Sequence, residues 1–304
     1  MKKALFLGIA ASFFFAFTFI LNRSMNLAGG YWLWSACLRY LFTLPIMAML
    51  IARKDGIRRV CREIRAQPLK WILWSTVGFG LFYAPLTFGS TFGESWLAAA
   101  TWQLTIVAGV ILTPLWGKRI PGRNLAWSCL ILAGVFLLQT PNLRRMDWRT
   151  MALTLVPILV AAFSYPLGNR KVMEFCPDWM GTFHRVFAMT LCSIPFWVIL
   201  SAGALAFRGL PSSGQVVQSL LVAIFSGVVA TVLFFRATDL VKQNQRQLAV
   251  VEATQSGEVI FTLLGGMLFL GDTAPGMTGV AGIVLIVAGM VGNSLSVAGH
   301  RSAD

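Results

Sequence analysis

The chain has 304 residues, of which 57% are hydrophobic and 12% are charged, and its mean hydropathy is +0.73. Because this composition is too apolar and too sparsely charged for a soluble domain of this length, the sequence predicts a membrane protein. The net charge of +14 could indicate an acidic partner such as nucleic acid. Most of the basic residues, however, lie in the loops between apolar segments, which is typical of membrane topology, so no nucleic-acid partner is expected.

Ten apolar segments are long enough to cross a bilayer, whose hydrocarbon core of about 30 Å takes about 20 helical residues. In chain order they are residues 4–21, 31–51, 71–91, 96–116, 123–140, 150–169, 181–201, 216–238, 247–270 and 276–297. The predicted fold class is therefore an all-α membrane protein with ten transmembrane helices. The short connections leave no room for a soluble domain between these helices.

Lysine and arginine are unevenly distributed between the two sides of this predicted bundle. With the amino terminus in the cytoplasm, 17 of the 25 basic residues lie in cytoplasmic segments, 5 in outside loops, and 3 within or at the edge of spans. The positive-inside rule then predicts a multi-pass protein of the cytoplasmic (inner) membrane with both termini in the cytoplasm. The loop from Thr140 to Arg149 is an exception, because its three arginines lie on the predicted outer side.

A basic run from Arg53 to Lys70 follows the second predicted span. One interpretation is that the run fixes the topology, and a compatible one is a surface helix that contacts anionic lipid headgroups. Membrane lipid is therefore an expected partner.

Cysteine and histidine show no pattern typical of a disulfide framework or a metal site. The five cysteines are an odd number, and all of them lie in predicted spans or cytoplasmic loops. The two histidines, His184 and His300, are far apart, and no metal-ligand spacing is present. We therefore expect neither a metal nor another cofactor.

The two halves of the sequence resemble each other at a nearly constant offset. The matched segments are Asn22-Arg23 with Asn169-Arg170, Phe88-Gly-Ser-Thr91 with Phe235-Arg-Ala-Thr238, and Ile131-Leu-Ala-Gly134 with Ile286-Val-Ala-Gly289. The offset is 147 residues for the first two matches and 155 for the last, as small loop insertions would produce. Five spans per half is an odd number, so the second copy enters the membrane in the opposite orientation, and such repeats enclose the substrate site of secondary transporters.

This repeat defines the predicted domains. Residues 1–145 form the first five-helix repeat, residues 146–297 form the second, inverted repeat, and residues 298–304 form a cytoplasmic tail. The glycines between Gly276 and Gly292 predict close packing of the last span against another helix of the chain, with dimerisation through that face as the alternative. The protein is accordingly predicted to be a monomer or a homodimer.

Charged side chains within predicted spans usually face a cavity, because their burial in hydrocarbon is costly. Arg39 in the second span and Arg185 in the seventh occupy matching places, and His184 lies beside Arg185. Each arginine either has a structural role, by snorkelling or by pairing with a carboxylate, or binds an anionic group of the substrate. All three residues are candidate substrate-binding residues.

Glu252 and Glu258 in the ninth span are the candidate proton-coupling residues. Six residues at 100° each place them about 120° apart around a helix, so the two carboxylates cannot point at one spot. Glu258 lies nearer the middle, where a carboxylate removed from water can take up a proton in one conformation and release it in another. Glu252 lies nearer the cytoplasmic end, where it can pair with Arg246 or with an arginine in the core. The structural alternative is an acid that stays paired or neutral.

Gln103 and Gln255 occupy near-equivalent places in the repeat, 152 residues apart, and each offers a donor and an acceptor. We expect them to face each other across the cavity. Trp102, Tyr83 and Tyr165 would suit a ligand with an apolar or aromatic body and a few polar atoms. A single aromatic residue of a membrane protein is nevertheless more often scaffold than ligand contact.

In these features the sequence resembles the EamA-like branch of the drug/metabolite transporter superfamily. The two halves each have an Asn-Arg pair at the end of the first span and an arginine in the second. The stretch Leu268-Phe-Leu-Gly-Asp-Thr-Ala-Pro275 resembles the segment that joins the last two helices of that family, with Asp272 where an acidic residue is usual. The resemblance implies a transporter, mostly outward in bacteria, of amino acids, nucleotide precursors, cationic drugs or other metabolites.

The sequence also departs from the family pattern at three places. Phe15-Ala16 replaces a frequent Trp-Gly in the first span, Val259 replaces a frequent proline, and Lys118 replaces the acidic residue of the first half. These departures leave the substrate class open while the fold is unaffected.

The expected function is secondary active transport of a small-molecule substrate, as a proton-coupled exporter of small zwitterionic or amphipathic metabolites by alternating access. Two arginines and two glutamates in the core favour this reading. The alternatives are multidrug efflux of cationic amphipathic compounds and a passive facilitator of metabolites. An enzyme is not expected, because the His-Glu-x-x-His and Gly-x-Ser-x-Gly motifs are missing, and no Gly-x-x-x-x-Gly-Lys-Ser/Thr motif supports ATP-driven transport.

Overall fold

The computed structural model describes residues 1–52, 56–117, 122–144, 148–241 and 245–300, and this part of the chain contains helices and no strand. The helices are α1 (Lys2–Leu27), α2 (Trp32–Ile51), α3 (Gly56–Ala66), α4 (Pro68–Phe92), α5 (Ser95–Trp116), α6 (Gly122–Arg144), α7 (Trp148–Phe175), α8 (Thr182–Arg208), α9 (Ser213–Asp239), α10 (the successive segments Gln245–Ala253, Thr254–Ser256 and Gly257–Phe269) and α11 (Met277–His300). The predicted all-α class is confirmed.

Nine helices within the described ranges are long and apolar enough to cross a membrane, namely all except α3 and α10. The predicted ninth span corresponds to α10, which is divided into three segments. The count of ten spans therefore stays a prediction. Several residues used for the predicted topology lie outside the described residues: Arg53, Lys54, Lys118, Arg119, Arg145, Lys242 and Arg301.

The outer surface of the bundle is apolar. Phe6, Phe136, Ile199 and Leu268 each expose more than half of their surface, and they belong to four different helices. Apolar exposure on this scale would be unusual for a monomer in water and fits a surface that faces lipid. The protein is thus a multi-pass membrane protein.

The helix ends collect at two ends of the bundle. At the end where α1 begins, here called the inner end, Ala4 packs with Ala237 and Val251 from the end of α9 and the start of α10. At the end where α1 finishes, called the outer end, Asn26 Nδ2 donates to the carbonyl of Thr91 at 3.0 Å. The inner end is the one that the distribution of basic residues predicts to be cytoplasmic.

Four helices depart from regular α geometry near their middle. α4 and α9 each contain a π-helical segment, Thr76–Gly80 and Ala223–Ala230. α5 is interrupted at Gln103, and α10 is interrupted by the 3₁₀ turn Thr254–Ser256 that contains Gln255. The π segments begin 147 residues apart and the two glutamines are 152 apart, which are offsets of the sequence repeat. π-helical turns are rare and are frequent at functional sites.

α6 and α11 pack closely through small residues. A Cβ added to Gly134 would lie 2.7 Å from Cγ1 of Ile286, and a Cβ added to Gly289 would lie 2.6 Å from Cγ1 of Ile131. Each helix therefore places its isoleucine against the glycine of the other, a reciprocal contact of the kind that two-fold symmetry produces. The predicted packing role of the α11 glycines within the chain is confirmed for Gly289.

Candidate functional site

A central cavity of about 560 Å³ lies between the helices. Its lining residues run from the middle of the bundle, at Thr18 and Arg39, toward the inner end, where Met173, Thr182 and Ser294 contribute. The cavity therefore extends toward the inner end. A separate cavity of about 610 Å³ at the outer end contains none of the predicted site residues.

Arg39 projects into the central cavity from α2, about two turns after the helix begins. Its Cζ lies 4.1 Å from the ring centroid of Tyr83 and 5.9 Å from that of Tyr40, and its Nη2 donates to Ser226 Oγ at 3.4 Å. Among the described residues no carboxylate lies within 4.0 Å of this guanidinium. Aromatic faces thus hold the cation, and its remaining donors are open to a ligand.

The aromatic support of Arg39 is itself fixed by neighbours. Tyr83 is fully buried, and its hydroxyl accepts a hydrogen bond from Asn22 Nδ2 at 3.0 Å. Tyr40 stacks on Trp197 with ring centroids 4.6 Å apart. Tyr83 therefore does not line the cavity, although the sequence predicts it as a ligand contact; the structure places it behind the guanidinium.

Glu258 is buried in the first turn of the last segment of α10 and lines the cavity. The side chains of Gln103 and Arg39 line the same cavity and act electrostatically on its carboxyl group. A buried carboxyl that faces a cavity beside one amide and one cation is a candidate for reversible proton binding.

Gln103 and Gln255 both line this cavity at the helix interruptions. Gln103 Nε2 donates to the carbonyl of Ala99 at 3.1 Å, which holds its side chain against its own helix. Gln255 Nε2 is buried and has no hydrogen-bond partner within the part of the chain that the structure describes. A ligand acceptor in the cavity would satisfy this donor.

Three aromatic rings form one wall of the cavity. The ring centroids of Phe82 lie 4.9 Å from Trp102 and 4.8 Å from Tyr165, and Trp102 lies 5.7 Å from Tyr165. Tyr165 exposes 39% of its surface, and the charges of Arg185, Glu258 and Arg39 all act on its hydroxyl. The aromatic wall is therefore adjacent to the charged groups, as an amphipathic ligand requires.

Arg185 and Glu252 lie closer to the inner end. Arg185 is in the first turn of α8, and no carboxylate of the described residues lies within 4.0 Å of it. Glu252 is exposed and also lines the cavity. Its predicted partner Arg246 has a side chain outside the described part of the structure.

His184, like Tyr83, is a predicted site residue that is not part of the cavity lining. Its ring lies 5.8 Å from that of Trp179, and its Nε2 would lie 3.3 Å from a Cβ added to Gly56 of α3. One step along a helix rotates a side chain by 100°, so Arg185 faces the cavity while His184 faces the inner surface.

Cavity residues that the sequence did not single out include Tyr40, Asn169 and Ser226. Two of them carry a signal in hindsight: Tyr40 adjoins an intramembrane arginine, and Asn169 belongs to the repeated Asn-Arg pair. Ser226 lies in a π-helical segment, which hydropathy does not reveal.

Comparison with known proteins gives one family and two close relatives. The family EmrE, described as "Putative multidrug resistance efflux transporter", matches residues 2–298. The chain is 47% identical over 302 residues to the uncharacterized protein YjlA of Bacillus subtilis (strain 168), which covers 95% of this chain and 93% of YjlA. It is 44% identical over 280 residues to an uncharacterized 42.1 kDa protein from the intracellular alkaline protease 3′ region of Shouchella clausii, covering 88% and 74% of the two chains.

A solved crystal structure of a protein with 14% sequence identity matches over the full length of both chains with a TM-score of 0.61, which supports the fold alone. The family match spans nearly the whole chain, and the family comprises transporters of small molecules, not enzymes. The chain therefore belongs to the EmrE family of the drug/metabolite transporter superfamily.

Proposed function

We propose that the protein is a proton-coupled exporter of small zwitterionic or amphipathic metabolites in the cytoplasmic membrane, and that it works by alternating access. The observation that carries this proposal is the central cavity, which brings Arg39, Arg185 and Glu258 beside an aromatic wall. Both termini are proposed to be cytoplasmic, so the described cavity extends toward the cytoplasm.

The proposed architecture has ten membrane spans in two inverted halves, residues 1–145 and 146–297, with residues 298–304 as a tail. Matching departures from helical geometry at repeat offsets support it, as does the reciprocal contact of α6 and α11. α10 supplies the tenth span. Discontinuous helices at the substrate site are common in secondary transporters, because the freed backbone groups can face a cavity.

The charged groups define the proposed substrate chemistry. Arg39 has no carboxylate partner among the described residues, so it can bind a substrate carboxylate through a planar pair of donors. Glu258 and the open donor of Gln255 suit the cationic or polar part of the same molecule. The rings of Phe82, Trp102 and Tyr165 accommodate an apolar or aromatic body.

Coupling is assigned to Glu258, with Glu252 as a second candidate at the inner end of the cavity. In the proposed cycle Glu258 receives a proton from the outer side and releases it toward the inner side while substrate moves outward. Multidrug efflux of cationic amphipathic compounds is the alternative, and the family description and the glutamates with their aromatic neighbours favour it. A passive facilitator would show no dependence on a proton gradient.

A matched series of probes separates these functions. Proteoliposomes are assayed with 3-phenylpropionate, phenylalanine, 2-phenylethylamine and 3-phenylpropanol, which share one ring and differ in charge. We expect a pH gradient to drive flux of the zwitterion most strongly. Preference for the amine would favour cationic efflux, and gradient-independent flux would favour a facilitator.

The role of Glu258 is tested in the same assay. Glu258→Gln is expected to remove the dependence of flux on the pH gradient. Glu174→Gln is the matched control, because Glu174 is an exposed carboxylate near the inner end that pairs with Lys171 at 3.1 Å. Unchanged gradient dependence in Glu258→Gln would overturn the assignment.

A further inference from the structure

Asp272 joins three elements at the outer end of the bundle. It lies in the connection between α10 and α11, and its Oδ2 accepts hydrogen bonds from Ser95 N at 2.8 Å and Ser95 Oγ at 2.5 Å, at the start of α5. Its Oδ1 lies 3.6 Å from Nε of Arg23, near the end of α1. The Asp272 side chain is 1% exposed, so this carboxylate is removed from water and depends on these partners.

Neighbouring contacts reinforce this junction. Trp96 Nε1 donates to the carbonyl of Thr273 at 3.1 Å, and the Thr273 hydroxyl donates to Glu94 at 2.7 Å. The junction packs directly on Gly266: a Cβ there would lie 2.3 Å from Ser95 Oγ and 2.5 Å from Asp272 Oδ2. Only a glycine leaves room for this hydrogen-bonded arrangement.

The equivalent arginine of the second half has different surroundings. Arg170, the repeat partner of Arg23, donates from Nη1 to the carbonyl of Gly109 at 2.8 Å, and its Cζ lies 5.4 Å from the Trp116 ring. Within the described ranges no carboxylate lies within 4.0 Å of Arg170. The repeat position of Asp272 is occupied by Lys118, which lies outside the described residues and carries no carboxylate.

We propose that Arg23, Ser95 and Asp272 form a latch that holds the outer end closed, and that separating Asp272 from Ser95 and Arg23 is the step that exposes the cavity to the outer side. The central cavity extends toward the inner end, where the repeat-equivalent arginine has no carboxylate partner among the described residues. The latch ties α1 and α5 of the first half to the α10–α11 connection of the second half, so relative movement of the halves must break it. This inference rests on the proposed alternating-access function.

The test measures access to the cavity from the outer side. Ile106 lines the cavity and takes no part in the charged site, so Ile106→Cys serves as the reporter in a variant whose five native cysteines are serines. A membrane-impermeant maleimide is added to the outer side of right-side-out vesicles, and to the inner side of inverted ones. With the latch intact we expect slow labelling from outside and fast labelling from inside.

Asp272→Asn is expected to raise the outside labelling rate about tenfold or more, since charge-assisted hydrogen bonds are lost. Thr273→Val is the control, because it removes the adjacent hydroxyl contact with Glu94 while leaving the carboxylate in place. A cooperative thermal melting transition shows that a variant has folded. If Asp272→Asn does not fold, Ser95→Ala, which removes one donor to the same oxygen, is used and is expected to change the rate in the same direction.

Outside labelling of folded Asp272→Asn or Ser95→Ala at the rate of the intact latch would overturn the proposal. The labelling assay requires neither substrate nor proton gradient, so its outcome is separate from that of the flux assay. Gradient-driven flux combined with unchanged labelling would contradict the latch proposal and support the transport function. Increased labelling without any flux would support the latch proposal and contradict the transport function.

Discussion

The outer and inner ends of the bundle carry equivalent arginines in unequal settings. At the outer end Arg23 lies beside a buried carboxylate that also binds the start of α5. At the inner end Arg170 binds a backbone carbonyl and lies beside a tryptophan. Under the proposed inverted repeat, the same residue type occurs at both ends, but only the arginine of the outer end lies beside a carboxylate, and the cavity extends toward the inner end.

The largest expected effect comes from a wedge at the outer end. Gly266→Val places methyl groups where Ser95 Oγ and Asp272 Oδ2 already lie within 2.5 Å of a Cβ, so the junction must separate. Overpacking of this kind costs about 1–3 kcal/mol. We expect a lower melting temperature and fast outside labelling of the Ile106→Cys reporter.

The control for this wedge is Gly276→Ala, because a Cβ there meets nothing within 4 Å. Its melting temperature and labelling should match those of the parent protein. A Gly266→Val protein with a normal melting temperature and slow outside labelling would show that the outer end stays closed despite the added methyl groups. That result would contradict the proposed difference between the two ends.

A pair of arginine substitutions tests the asymmetry directly. Arg23→Gln leaves the buried Asp272 without its cation and should speed outside labelling, by less than Asp272→Asn because the Nε to Oδ1 distance is 3.6 Å. Arg170→Gln removes one hydrogen bond from a charged donor to a carbonyl, worth about 1.5–3 kcal/mol. It should leave outside labelling unchanged, and equal acceleration by both variants would contradict the comparison.

Substitutions of Arg39 and Arg185 test whether the substrate anion binds in the middle of the cavity or nearer the inner end. Arg39→Lys keeps the charge but loses the planar contact with Tyr83, so we expect roughly tenfold weaker binding of a carboxylate-bearing probe, equivalent to about 1.4 kcal/mol. Arg185→Lys, nearer the inner end, should weaken binding less. Competition against labelled phenylalanine measures both, and a larger loss in Arg185→Lys would move the anion site toward the inner end.

The smallest effect is expected for His184, which lies outside the cavity against Trp179. His184→Ala should change flux by no more than about twofold, as is usual for substitutions away from a site. Flux at each pH is compared with that of the parent protein. A loss of tenfold or more would show that this part of the inner surface contributes to transport.

Much of the fold follows from hydropathy, because a membrane span must be apolar over a fixed length. The predicted segment 31–51 matches α2 to within one residue, and the predicted segment 71–91 lies within α4, which begins three residues earlier. The segment 247–270 is divided in the structure, and at the division Thr254 and Ser256 donate side-chain hydrogen bonds to the carbonyls of Val251 and Ala253 at 2.6 and 2.8 Å. Such local hydrogen bonds compete with regular helix and are invisible to hydropathy.

The site was predictable where polar residues lie within apolar segments, which singled out Arg39, Glu258 and Gln103. For His184 the sequence did not reveal which side of the helix faces the cavity, and neighbouring residues of a helix point 100° apart. The junction of Ser95 with Asp272 joins residues 177 positions apart, and nothing in either local sequence identifies the partner. The sequence showed Asp272 at a position where the resembled family usually has an acidic residue. It did not show the contact with Ser95 on which the proposed latch depends.

The buried carboxylate at the outer junction has a consequence for energy use. Under the proposed latch, a carrier that holds neither cargo nor proton has no binding free energy to offset the loss of the Asp272 contacts. Empty molecules would then seldom complete a turnover, and futile dissipation of the transmembrane proton gradient would stay low even when the protein is abundant.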